Sequence, residues 1–258
     1  MLTLIAESKT MTACNQAVSP KLYNRHRPAD EEKAAAIMDR IAGITPRELT
    51  DLTHLSFAMA TKLHMLAVDF PYKGVGQAAI QAFTGVVFKA LDVASLSSQA
   101  GDYLNQHLRI ISSLYGWLRP DDIIKAYRMD YTSPLSPDGN SLYSFWRETV
   151  TLNLIREIQE SKTGSVLNLL PADAAKCVDW KEVKPHAEVL TVDIKELKEG
   201  GKFTTPHAGR LKTLRGHLLR EICEQNISDA SQLKTLSTSL LLPMGTPDRP
   251  DHIAFCVR

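Results

Sequence analysis

Residues 106–128, QHLRIISSLYGWLRPDDIIKAYR, hold the densest chemistry in the chain. Arg109, Arg119 and Arg128 are spaced around Gly116, which Tyr115 and Trp117 flank. A tight turn can present backbone N–H groups, and guanidinium groups beside it suit an anion such as a phosphate. The order of a helix or strand, Leu114-Tyr115-Gly116-Trp117-Leu118, Arg119-Pro120, then a helix start at Asp121 or Asp122 reads as helix–hairpin–helix-like. In such an element apolar residues pin the turn while its amides grip one phosphate without reading bases. The base rate for buried aromatics favours a packing hairpin instead, with Arg119 and Arg128 paired to Asp122 and Asp130. Ser113 stands where the usual hairpin has its first glycine.

A second cationic feature is the basic helix expected over residues 209–225. At 100° per residue Leu211, Leu214, Leu218 and Ile222 form its buried stripe. Arg215 falls inside that stripe, whereas Arg210, His217 and Arg220 point away. An inward guanidinium must be paired or must line a wet cleft, because an unpaired buried charge is costly. Gly216 beside it permits close backbone approach. Lys9 follows the first expected strand, where open α/β sheets place ligands, and Lys176 lies on a short helix after SVLNLL. Each lysine alone also fits a solvated surface position. Converging with Arg215, they would make a cationic cleft for phosphate, or leave an amine nucleophile for an enzyme.

Other chemistry lacks support. HExxH, GxxxxGK[ST] and GxSxG are absent, and no GxGxxG follows the first strand. The eight histidines show no ligand spacing, so no metal site and no cofactor are expected. Gly74-Val75-Gly76 reads as a loop. Cys14, Cys177, Cys223 and Cys256 form no CxxC pair, which fits free thiols in a reducing compartment.

These residues need elements to position them. Residues 2–5 read as an opening core strand running into polar Glu7-Ser8-Lys9-Thr10. Asp30 opens a helix to Ile41, and Thr45-Pro46-Arg47-Glu48 is a capping box for another. AIQAF, VVFKAL, LRIISSL and AYRMD alternate short strand-like and helix-like pieces. Residues 133–140 carry turn chemistry for a surface loop. A long amphipathic helix runs from Leu142 to about Glu160. SVLNLL and AEVLTVDI read as strands around a short helix over 173–178, and GKFTTPH is a further strand candidate. SLLLPM and HIAFCV read as a closing antiparallel hairpin. Strands and helices interleave without linker or repeat, so the expectation is one compact α/β domain over residues 1–258, a mixed sheet surrounded by helices.

Composition narrows the functions. A net charge of +1 excludes a polyelectrolyte-like coat, so nucleic-acid binding must come from a local patch. The terminus MLTLIAESKT lacks the basic region and apolar run of a secretory signal, and no window suits a bilayer span. The expected location is cytosolic, with no membrane partner.

The central block resembles the QHLRxLSGLYGxLRPxDxxxxYR block of the YaaA peroxide-stress-response family. AFTGVVFKAL, SLYSFWRE, SVLNLLPADAAKCV and KTLRGHLLREI resemble further family blocks in the expected order. Lys9, Thr10, Tyr115, Gly116, Arg119, Pro120, Asp122, Tyr127, Arg128, Asn168, Lys176, Lys212, Arg215 and Gly216 match directly. Glu7-Ser8 replace the Pro-Ala of the SPAKT signature. Thr84 and Val86 stand for Lys and Asp, and Leu170-Pro171 and Ala174 depart from NLASxEY, removing charge and hydroxyls from the expected cleft. The resemblance implies a mixed α/β fold with a helix–hairpin–helix and a positive cleft, and no established catalysis. It also implies a DNA partner, double-stranded or branched, and a role in limiting iron-driven oxidative damage. The candidate phosphate contacts are Lys9, Tyr115, Gly116, Arg119, Arg128, Lys176, Lys212 and Arg215. The alternative is an enzyme on a nucleic-acid base or nucleotide, with Lys9 or Lys176 as nucleophile; an iron- or small-ligand-binding protein is a third reading.

Overall fold

The computed structural model describes residues 1–12, 26–71, 76–245, 249 and 251–258; Cys14 and the first two residues of Gly74-Val75-Gly76 lie outside them. The chain opens with β1 (Leu2–Ala6), whose side chains are almost all buried. That uniform burial is what a strand flanked by parallel neighbours and covered on both faces requires. Three helices follow: α1 (Glu31–Ala42), α2 (Pro46–Thr53) and α3 (Phe57–Asp69). The capping box is present in full, with Thr45 and Glu48 each bonding the other's backbone N–H.

After β2 (Gln77–Ala78) come α4 (Ala79–Ala82), α5 (Val86–Leu91) and α6 (Ser98–His107), so AIQAF and VVFKAL are both helical. Next are β3 (Leu108–Ser112), β4 (Gly116–Leu118) and β5 (Ile123–Ile124); AYRMD is irregular. The long helix is α7 (Leu142–Ser161), followed by β6 (Ser165–Asn168), a 3-10 turn (Ala174–Cys177), α8 (Trp180–Val183), β7 (Glu188–Leu197) and β8 (Phe203–Thr204). The basic helix is α9 (Ala208–Glu224); α10 (Ala230–Thr235) precedes β9 (Leu241–Pro243) and β10 (His252–Val257), which pair antiparallel. Residues 133–140 form a loop, but Leu135 and Ser136 within it are fully buried, so it is anchored rather than a free surface loop.

The main sheet runs β4-β3-β1-β6-β7-β10-β9, with β8 added to β7; β2 and β5 form a separate pair. β1, β3, β6, β7 and β10 are parallel to their neighbours within that set, and β4, β8 and β9 are antiparallel, so the sheet is mixed within one α/β domain. β1 lies between β3, reached through the amino-terminal helices, and β6, reached later through α7. A reversal of strand order like this opens a crevice beyond the carboxyl ends of the strands, where open α/β sheets place ligands.

Residues 108–118 are a β-hairpin, not a helix–hairpin–helix. Ile110, Ile111 and Ser112 pair with Leu118, Trp117 and Gly116. No helix begins at Asp121 or Asp122; the next is α7. LRIIS is buried throughout and rich in β-branched residues, which favours a strand once the core covers both of its faces.

Candidate functional site

The residues after β1 enter a cleft of about 400 Å³. Its wall is partly apolar, with Ile5, Val86, Phe88, Met129 and Leu169 among the lining residues. The charged residues on it are Glu7, Lys9, Asp130, Asp173, Lys212 and Arg215. Ser8 ties the loop after β1 to the start of α5: its Oγ accepts from Gly85 N–H at 2.9 Å and Thr10 N–H at 3.2 Å. Helix α9 packs against α5 and brings Lys212 and Arg215 to the same opening.

Arg215 sits as its place in the helical stripe requires. It is half-buried, and its Nε is shut from solvent with no hydrogen-bond partner among the described residues. Burial pulls its guanidinium below the usual range, and the negative charge of Asp193 opposes that shift. Lys212 is exposed at the rim. Lys9 also lines the cleft, in an ion pair with Asp130, and its carbonyl accepts from Arg128 Nη1 at 3.2 Å. Lys9, Lys212 and Arg215 therefore share one concavity. Arg210 is exposed as its place on α9 requires, paired with Glu196 at 2.8 Å, whereas Arg220 is held by the carbonyls of Leu91 at 2.9 Å and Asp92 at 3.0 Å.

The remaining expected contacts lie elsewhere. Tyr115 is 2% exposed, and its hydroxyl accepts the Lys125 N–H at 3.0 Å. Gly116, at φ +67°, faces the Trp146 ring so closely that an added Cβ would fall 2.3 Å from it. Trp146 in turn donates to the Ser113 carbonyl at 2.9 Å, clamping the hairpin onto α7. The Gly116 turn is thus packed inside the protein, where it offers a phosphate no open amide. Arg119 lies on a separate cavity of about 260 Å³, 3.7 Å from Glu157. Arg109 is buried against Glu157, its Nε 2.8 and 2.6 Å from the two carboxylate oxygens. Arg128 lines a neighbouring depression with Lys9. Lys176 is exposed, its Nζ 5.2 Å from the centre of the Tyr143 ring, and is not part of the cleft wall. Of the divergent positions, Val86 and Pro171 do line the cleft, whereas Ala174 is fully buried and Thr84 donates its N–H to Thr10.

Sequence reasoning passed over Glu7 as a functional group. Its Oε2 accepts the Ser113 N–H at 2.9 Å and the Tyr127 hydroxyl, which also lies 2.6 Å from Ser112 Oγ. Burial raises the Glu7 carboxyl to about 7, against those hydrogen bonds, which act to lower it. A carboxyl that changes charge near neutrality in a cleft is a group with binding or proton-transfer capacity. The available signal was an acidic residue directly after a largely apolar strand.

Among the described residues no group of three or more His, Cys, Asp or Glu is placed to hold a metal ion, and no helix is long and apolar enough to cross a membrane. Residues 1–240 match the family model described as Peroxide stress protein YaaA. A UPF0246 protein of Parabacteroides distasonis is 30% identical over 240 residues, 92% of each chain. One from Phocaeicola vulgatus is 31% identical over 236 residues, 91% of this chain and 90% of its own. One from Burkholderia orbicola is 31% identical over 220 residues, 82% of each. With the family blocks running in order through β1, the hairpin, α7 and α9, the chain belongs to the YaaA family of peroxide stress proteins.

Proposed function

We propose that this chain serves the peroxide stress response in the cytoplasm as a DNA-binding protein that limits iron-driven oxidative damage, with its phosphate contact in the cleft. Lys212 and Arg215 hold the phosphate, and Lys9 borders it. The observation that carries the reading is the half-buried Arg215 with its unpartnered Nε. A desolvated guanidinium N–H without an acceptor is costly, and an entering phosphate supplies one. Val86 belongs both to this cleft and to a groove between α5 and α9 that Lys89, Arg220, His217 and Asp92 line, which gives a polyanion a polar path outward. The hairpin contacts expected from sequence, the Gly116 amide and Arg119, have no part in this reading.

Fluorescence anisotropy with labelled duplex and branched DNA tests it. Affinity should fall steeply from about 50 to about 200 mM salt. Arg215→Gln or Lys212→Gln should each lower the salt slope by about 1, whereas Arg119→Gln should leave it unchanged. A signal flat in salt, or insensitive to both α9 substitutions, rejects the reading.

A second reading, an enzyme acting on a nucleic-acid base or nucleotide, is favoured by one observation. Lys9 lines a cavity whose size suits a small ligand. Its nucleophilic form would leave a borohydride-trapped adduct on abasic DNA that Lys9→Gln abolishes; no adduct in the unsubstituted protein rejects it.

A further inference from the structure

The cleft carries three cations, Lys9, Lys212 and Arg215, and three carboxyl groups, Glu7, Asp130 and Asp173. With Glu7 ionised these charges cancel. With Glu7 protonated one positive charge is left over, and each phosphodiester of DNA carries one negative charge. We propose that the cleft takes up a phosphodiester together with one proton, and that Glu7 carries the proton. This rests on the reading of the cleft as a phosphate site and adds what that reading lacks, a chemical condition for occupancy.

The surroundings of Glu7 favour that role. Its partners on the hairpin are Ser112 and Ser113, and on the irregular segment after β5 its partner is Tyr127; Tyr131, whose hydroxyl donates to the Ile111 carbonyl at 2.7 Å, stands nearby. Cys177 approaches from the 3-10 turn. All of these are neutral near pH 7, since burial raises both tyrosine hydroxyls and the Cys177 thiol. Among the described residues no cation is ion-paired with Glu7, and Lys9, the nearest in sequence, is committed to Asp130. The carboxyl is therefore held by neutral donors in a desolvated pocket, and it titrates at about 7. Bringing a further negative charge into the same half-enclosed space disfavours the ionised form, because like charges at short range raise a carboxyl's affinity for protons. The proton comes from water as the anion enters and returns to it on release. No covalent bond of the ligand changes.

The probe is a short oligothymidylate, whose phosphodiesters and bases keep their charge across the neutral range. Isothermal titration calorimetry in buffers of different ionisation enthalpy counts the protons taken up on binding. The unsubstituted protein should take up close to one proton per cleft above about pH 7, its affinity falling up to about tenfold per pH unit there. Glu7→Gln, which keeps the shape and abolishes the titration, should bind without that proton and with affinity independent of pH. Tyr127→Phe removes a donor that stabilises the carboxylate and should move the break in the profile to higher pH. Equal proton uptake in the unsubstituted and Glu7→Gln proteins, or a Tyr127→Phe profile that does not move, overturns the role of Glu7 while leaving the phosphate site standing. No binding at any pH in either protein removes the phosphate site itself, and this inference with it.

Discussion

The backbone of Gly216 on α9 lies against the carbonyl of Val87 on α5, so close that a Cβ there would sit 2.4 Å from that oxygen. The same added atom would come within 2.7 Å of Ala90 Cβ. This contact sets the spacing of the two helices that frame the cleft, and Arg215 is the residue directly before it. Gly216→Ala should force α5 and α9 apart, destabilise the fold by about 1–3 kcal/mol, and weaken the proposed DNA contact through displaced Arg215 and Lys212. Urea denaturation and anisotropy on the same sample check both effects. Unchanged stability and affinity would contradict the close packing.

The two arginines on Glu157 should separate in their effects. Arg109 is 5% exposed and bonded to both carboxylate oxygens, whereas Arg119 has a half-exposed side chain at 3.7 Å. Arg109→Ala strands a buried carboxylate and should cost about 3–5 kcal/mol. Arg119→Ala should cost no more than about 1 kcal/mol, because water screens an exposed pair. Chemical denaturation of both variants gives the comparison, and similar losses would contradict it.

Stability should depend on pH through Glu7. Its carboxyl titrates at about 7 in the folded protein against 4.5 as the unperturbed value. Between those values the folded state holds the proton more tightly than the unfolded chain, so Glu7 lowers stability as pH rises from about 4.5 to about 7. Asp122, raised by burial to about 6 from 3.8, acts in the same direction over its own lower window. Glu7→Gln should flatten the upper part of the fall in melting temperature. A profile identical to the unsubstituted protein would place the Glu7 carboxyl in water.

Two thiols should resist oxidation despite the family's link to peroxide. Cys177 and Cys223 are 0% and 1% exposed. Burial pushes both thiols up, Cys223 to about 12, which leaves almost no thiolate to react. Mass spectrometry after peroxide or maleimide treatment of the folded protein should find both unmodified, with Cys256, which is partly exposed, labelled ahead of them. Rapid modification of Cys177 or Cys223 in the native state would contradict their burial.

The chain's local pattern determines much of this molecule. The Thr45 and Glu48 capping box and the apolar run of β1 depend on neighbours a few residues away and are legible, as are the extent of α7 and the pairing of β9 with β10. The face that α7 buries is not the one its apolar spacing suggests: Leu142, Trp146, Val150, Leu154 and Ile158 are inside, whereas Leu152 is exposed. The inward place of Arg215 follows from helical period alone. Short apolar runs such as LRIIS carry no period that separates strand from helix, and the helix expected from Asp121 or Asp122 gives way to β5. Whether the Gly116 turn shows its amides to solvent is settled by Trp146, thirty residues further on, and by the sheet beneath it. The meeting of Lys9, Lys212 and Arg215 depends on how β1, α5 and α9 pack. The charge state of Glu7 depends on how far that packing strips its carboxyl of water. Neither quantity is a property of nearby sequence, since desolvation and proximity arise only when distant segments close over one another.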